Sequence, residues 1–261
     1  MICLKTYDEI KKIKIACNYV EKILRELRTI IRPGISTGEI IETVNYILNK
    51  TKLSSSLVIE KMFPLPLSIS VNEIAVHGGI VSQVLKAEDI LTVDIAICYK
   101  GWHGDGSWTY SVDETHEDNI NLIRAAWRCT MAGVSAAIPG GYIRDIGAAI
   151  EDEARQCGCK VIPDFAGHGI GKNMHESPTV FHYGIKRTGE RIVPGMVFTI
   201  EPVVTFGDIA VERHDDGFAY IMKDRNKTAQ FEHTIAIFED RAEILTLGNR
   251  IFDKKLIGLF D

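Results

Sequence analysis

Residues 90–106, ILTVDIAICYKGWHGDG, decide how the rest of the chain is read. The run opens with apolar and β-branched residues, the composition of a buried strand. Asp94 interrupts it. An unpaired carboxylate is too costly to bury, so Asp94 requires a cation, a strong donor set or a proton. Asp105 follows beyond a turn signalled by Lys100-Gly101 and just ahead of Gly106. A hairpin with that turn returns the second carboxylate beside the first. Two acids so placed repel unless something positive lies between them, and a divalent metal is the simplest answer.

Working outward, apolar residues at Ile10, Ile13, Cys17, Val20, Leu24, Leu27 and Ile31 recur every three or four positions. They predict an amphipathic helix over 8–31, stopped by Pro33-Gly34. Ser36 with Glu39 forms a capping box that starts a second helix, ending near Asn49. Ser54 to Ser56, Pro64 and Pro66 mark an irregular loop, Ser68 to Val71 a short strand, and His77-Gly78-Gly79 a turn. Beyond the hairpin come a helix over about 115–137, stopped by Pro139-Gly140, and another over about 143–156, ended by Gly158. The order of elements repeats. Pro33 maps on Pro139 and Ile40 on Ile146, and the same offset carries Asp94 to within one residue of Glu201. The reading is one α/β domain over 1–261, built of duplicated helix-helix-strand halves at about 8–112 and 115–238.

The second half has its own polar intrusions. GMVFTIEPVV reads as a strand with Glu201 at its end, AQFEHTIAIF as a strand with Glu232 inside it, and DFAGHGIGKNMHE as a glycine-rich loop carrying His168 and His175. Four carboxylates carry a charge of about −4, which two divalent ions neutralise. If a pseudo-two-fold relates the halves, the acids converge between them. Two metals roughly 3.5–4 Å apart then acidify a water and polarise a carbonyl, the chemistry of amide hydrolysis. His233 follows Glu232 and faces the other side of its strand, so it is read as structural. His103, His116, His182 and His214 receive no role.

The totals fit a soluble enzyme. At 261 residues, 46% apolar and 25% charged, the chain is ordinary globular protein, and a net charge of −5 offers no footprint for nucleic acid or anionic membrane. The N-terminus lacks a signal-peptide core, and no apolar run approaches a membrane span. Six scattered cysteines, with only Cys157 and Cys159 close, read as free thiols in a reducing cytoplasm. No HExxH, GxSxG, Walker-type or GxGxxG pattern is present.

Five segments, SISVNEIAVHG, VDIAICYKGWHGDGS, AGHGIGKNMHESP, GMVFTIEP and AQFEHT, stand in an order and over a length that resemble a type I methionine aminopeptidase. The resemblance implies the pita-bread fold and five metal ligands, Asp94, Asp105, His168, Glu201 and Glu232, with Asp105 and Glu232 bridging two divalent ions (Mn, Fe, Co or Zn). It implies further that His77 assists at the scissile amide, that His175 stabilises the oxyanion, and that Glu201 shuttles the proton. The implied substrates are N-termini of nascent polypeptides with a small second residue. The expected protein is a monomer making at most a transient ribosome contact. Phe63, Ser68, Met174 and Phe218 align with the substrate pocket, where the family usually has tyrosine, cysteine, phenylalanine and tryptophan. Glu60 replaces a usual tyrosine and, as a loop residue, is expected to point outward; HGG continues with Ile80 where the family has HGIP. Two rivals remain. One is a pita-bread peptidase with another preference, such as cleavage before proline; the other is a catalytically silent peptide- or partner-binding module, which loss of metal ligands would mark.

Overall fold

In the computed structural model, which describes residues 1–79, 82–113 and 117–247, two helices open the chain. α1 (Tyr7–Arg28) starts from a capping box in which Thr6 and Glu9 satisfy each other's backbone N–H groups, and it buries the predicted stripe from Ile10 to Leu27. α2 (Thr37–Thr51) starts from the predicted box of Ser36 and Glu39 and ends at Lys52 in the left-handed region. Both helices sit within two or three residues of their expected ends.

A short β1 (Ser54–Ser55) and the one-turn helix α3 (Ser56–Ile59) follow, then β2 (Ser68–Val71), β3 (Ile74–Val76), β4 (Ile90–Tyr99) and β5 (Trp102–Ser111). The last two are the predicted hairpin. Lys100 and Gly101 both have positive φ, at 50° and 76°, the signature of the two-residue turn that matches strand twist. In the ladder Asp94 faces Ser107 and Ala96 faces Asp105, so the two acids lie diagonally on one face, and Ser68 of β2 flanks Asp94 from the other side. α1 lies directly on this hairpin. A Cβ on Gly104 would come within 2.6 Å of the Cys17 backbone nitrogen, so only glycine permits the approach.

α4 (Glu117–Ala136) and α5 (Ile143–Cys157) repeat the helix pair, α5 ending at Gly158 with φ 70°. The expected start of α4 at 115, and His116, lie outside the described residues. The strands that follow are β6 (Lys160–Val161), β7 (Ala166–Gly169), β8 (Glu176–Phe181), β9 (Val197–Ile200) and β10 (Val203–Thr205). Then come β11 (Val211–Arg213), β12 (Tyr220–Met222), β13 (Thr228–Gln230), β14 (His233–Ile237) and β15 (Ala242–Ile244). One sheet has the order β15-β14-β9-β7-β8; β13-β10-β6 and β11-β12-β3 form smaller ones.

Two expectations need correction. His168 lies on β7 rather than in a loop, and His175 alone occupies the loop before β8. AQFEHTIAIF is two strands, with Phe231 and Glu232 in the break. The register does not slip there: His233 faces Ile200 on one side and Gln230 faces Val203 on the other. The ladder opens opposite Phe231 because Pro202 has no N–H to give it, and on the other edge of the strand the Glu232 N–H donates to the Ser107 carbonyl of β5 at 2.8 Å. That bond ties the second half to the hairpin at the level of the acids. A single apolar core, from Val20, Leu24 and Val44 through Val93 and Ile95 to Ile150, Phe198 and Ile235, runs through both halves beneath them.

Candidate metal centre and substrate pocket

Each acid projects from an element that cannot rotate it away. Asp105, 2% exposed, has its backbone held to the Thr234 hydroxyl, which accepts its N–H at 3.2 Å and donates to its carbonyl at 2.8 Å. Its Oδ1 accepts the Gly106 N–H at 3.0 Å. Extending the β9–β14 register by one step makes Glu201 and Glu232 facing residues. Glu201 Oε1 accepts the Thr199 hydroxyl at 2.6 Å, and that same hydroxyl accepts the His168 N–H at 3.0 Å. The Gln230 amide donates to the Glu201 carbonyl at 3.2 Å and to its Oε2 at 3.4 Å, and the Glu201 N–H donates to His182 Nε2 at 3.2 Å.

His168 Nδ1 lies 3.0 Å from the Gly169 carbonyl. A carbonyl only accepts, so Nδ1 carries the hydrogen and Nε2 presents its lone pair. Nε2 is 3.7 Å from Asp105 Oδ2 and 3.6 Å from Glu201 Oε1. Burial pushes Asp94 up to about 7 and Glu201 up to about 8, the Asp94 charge adding to the latter. Asp105 and Glu232 stand well above the usual carboxylate range, through burial first and neighbouring acids second. Burial also takes His168 down to about 3, so its imidazole is neutral.

This set fits divalent cations. Ligand atoms of Asp105, His168 and Glu232 lie within 4.8 Å of one another, and Glu232 Oε1 is buried with no hydrogen-bond partner among the described residues. Acids raised by burial and by one another's charge, an orphaned oxygen and one free imidazole lone pair are what hard or borderline cations satisfy.

Above the acids opens a cavity of about 390 Å³, lined by Asp94, Asp105, His168, Glu201 and Glu232 at one end and by Phe63, Ser68, His77, Met174, His175 and Phe218 around it. Every residue singled out from the sequence therefore meets in one place. Phe63 and Phe218 stack edge to face at 5.4 Å, and Met174 packs with Phe63, Leu57 and Ala96. His175 packs against His168 with ring centroids 4.0 Å apart. His77 holds a positive φ of 59° and stacks near Phe63 and Tyr220. Crowding of protein atoms around their rings lowers both His77 and His175.

Some partners escaped the sequence reading. Thr199 and Gln230 stand two positions before Glu201 and Glu232, the spacing that puts strand residues on one face, and this signal was available. Thr234 and His182 carried none, because their contacts cross between distant segments. His233 is structural as expected, its Nδ1 2.9 Å from the Thr246 hydroxyl. His214 sits in an exposed turn beside Asp216 at 3.1 Å. His103 is not idle: Nδ1 is 2.8 Å from the Ser56 hydroxyl, and Nε2 is 3.4 Å from Glu60 Oε1. Glu60 stays an exposed residue, as expected, but its Oε1 turns in to accept the Met174 N–H at 2.9 Å.

An α/β fold that sinks four carboxylates and an imidazole beneath an apolar pocket defines a metal-dependent peptidase. The chain belongs to metallopeptidase family M24, whose description matches residues 11–239. Methionine aminopeptidase A of Synechocystis sp. is 40% identical over 248 residues, covering 95% of this chain and 98% of that protein. The methionine aminopeptidase of Escherichia coli K12 is 35% identical, covering 94% of each. The crystal structure of methionine aminopeptidase from Rickettsia prowazekii superposes with a TM-score of 0.92 at 30% identity, over 95% of this chain and all of that one. The prolidase of Pyrococcus furiosus shares the fold, with a TM-score of 0.75 at 22% identity, over 95% of this chain and 66% of that one. The architecture is the pita-bread fold.

Proposed function

We propose that the protein is a methionyl aminopeptidase, one catalytic domain that removes N-terminal methionine from polypeptides whose second residue is small. The observation that carries this reading is the apolar cavity that ends on the buried acids and the His168 imidazole. Phe63, Met174 and Phe218 enclose an unbranched thioether, whose burial contributes roughly 1.5–3 kcal/mol. Asp94, Asp105, His168, Glu201 and Glu232 would hold two divalent ions. When bound, such ions acidify water towards neutrality and polarise a carbonyl.

The chain's own groups do the rest. Glu201, fixed by Thr199 and Gln230, takes the proton from the attacking water and delivers it to the departing amine. His175 is neutral at pH 7 and donates an N–H to the oxygen on which charge develops. His77 orients the scissile amide from the opposite wall. The oxygen-rich set with one imidazole accommodates Mn, Fe, Co or Zn. We place the enzyme in the cytoplasm as a monomer acting on nascent chains, with at most a transient ribosome contact; no helix among the described residues is long and apolar enough to cross a membrane.

The test is metal analysis combined with hydrolysis of Met-Ala-Ser, Leu-Ala-Ser, Lys-Ala-Ser and Ala-Pro peptides. Two equivalents of metal and release of methionine from the first peptide are expected. Release from Ala-Pro ahead of Met-Ala-Ser would move the protein to the proline-directed branch. Absence of hydrolysis from all four, in metal-loaded protein, would make it a silent binding module.

A further inference from the structure

Glu60 occupies a position where the methionine aminopeptidase resemblance calls for tyrosine, and its carboxylate ties two distant segments together. It caps α3 and reaches across to the segment between β7 and β8, where Oε1 accepts the Met174 N–H at 2.9 Å. The same oxygen lies 3.4 Å from His103 Nε2, and His103 Nδ1 lies 2.8 Å from Ser56 Oγ. The His103 N–H also donates to the Gly171 carbonyl at 2.9 Å. Ser56, His103 and Glu60 thus line up like a hydrolytic triad, but Ser56 is fully buried and does not line the cavity above the acids. Their output is the Met174 backbone.

That backbone matters because Met174 walls the substrate cavity and His175 follows it directly. On its far side the same segment is held by Glu176, whose Oε1 accepts the Asn173 N–H at 3.1 Å while Oε2 pairs with Lys5 Nζ at 2.6 Å. The Lys5–Glu176 pair ties one side of the segment to the start of the chain, and Glu60 ties Met174 itself from more than a hundred residues earlier. It stands behind Met174 and is not among the residues lining the cavity.

We propose that Glu60 is a positioning residue that sets the depth of the methionine pocket by fixing the Met174 N–H, and so determines how strongly the enzyme prefers methionine over shorter side chains. The inference rests on the methionyl aminopeptidase reading of this site. The group that acts is a hydrogen-bond acceptor held by His103, so the amide oxygen of glutamine preserves it and alanine removes it.

The test compares metal-loaded wild type, Glu60→Gln and Glu60→Ala by steady-state kinetics on Met-Ala-Ser and Ala-Ala-Ser, and by hydrogen exchange at the Met174 amide. In Glu60→Ala, KM for the methionyl peptide rises about ten-fold while kcat changes less than three-fold, the alanyl peptide is little affected, and the Met174 amide exchanges at least ten-fold faster. Glu60→Gln stays within about two-fold of wild type in both measurements. A Glu60→Ala enzyme with unchanged KM and unchanged exchange overturns the proposal. So does Glu60→Gln behaving like Glu60→Ala, which would make charge rather than the acceptor decisive. If the wild type cleaves no methionyl peptide, the functional reading fails, and the exchange measurement still decides the tie to Met174.

Discussion

At the acid cluster, each carboxylate hangs from a strand or a strand break whose hydrogen bonds run between sheets. Thr234 holds Asp105, Thr199 and Gln230 hold Glu201, and Ser107 holds the backbone of Glu232. At the pocket wall, Phe63, Met174 and Phe218 come from loops and are placed by ring contacts, apolar packing and the Glu60 tie. The difference follows from the chemistry each end performs. Charges that share cations tolerate little displacement, because Coulomb terms in a buried site change steeply with distance. A pocket for a flexible apolar side chain tolerates repacking, because dispersion contacts are individually weak and interchangeable. The sequence departs at the second end from the pattern the resemblance implies and keeps every implied ligand at the first.

Substitutions at the two ends should therefore differ by orders of magnitude. The largest effect is expected for Asp105→Asn, which removes one of the four acids from the set proposed to hold the metal. Turnover should fall by at least about a thousand-fold and metal content should drop, while the thermal midpoint of the metal-free protein is retained or raised, since the substitution relieves repulsion. Wild-type metal content and rate in this variant would show that the cluster is not the catalytic centre.

Next, His175→Ala should lower kcat by about two orders of magnitude and leave bound metal unchanged, as expected of a donor to developing charge. Metal loss with a normal rate at saturating metal would place His175 among the ligands, and would erase the boundary between the two ends.

At the wall, selectivity for methionine over norleucine or leucine should stay within about 10–200-fold, because one methylene of shape discriminates no more than that. Met174→Ala should narrow it further and act mainly on KM. A preference for Lys or Arg over Met in the wild type would contradict the apolar reading of the pocket.

The smallest effect concerns the Lys5–Glu176 pair behind the wall. Burial alone would raise Glu176, but the Lys5 ammonium and the Asn173 N–H overcome it and hold its carboxyl below the ordinary value of 4.5. Between the two values the unfolded chain binds more protons than the folded one, so stability rises with pH there. The contribution is complete above pH 4.5 and fades as pH falls through the folded value. Lys5→Met should flatten that part of the stability curve, measured by denaturant titration across pH 3–6; an unchanged slope would mean that the pair plays no part.

Much of this was legible from residues in order. The spacing of Ile10 to Leu27, the Ser36–Glu39 box and the Lys100-Gly101 turn fixed helices and hairpin to within a few residues, because periodicity, capping and φ are local properties. Asp94, Asp105, Glu201 and Glu232 announced themselves as charges in apolar surroundings, where an unpaired acid is too costly to leave. The break at Phe231 and Glu232 was not legible, since it needs Pro202 opposite Phe231, which is far away in sequence. The tie made by Glu60 was not legible for the same reason: the residue stays exposed, and only the approach of Met174 and His103 gives its Oε1 partners. Sequence determined which chemistry the chain carries, because residue types and periodicities are written in it. Tertiary structure alone decided which groups hold that chemistry in place, because a hydrogen bond between residues a hundred positions apart exists only once the folded sheets bring them within 3 Å.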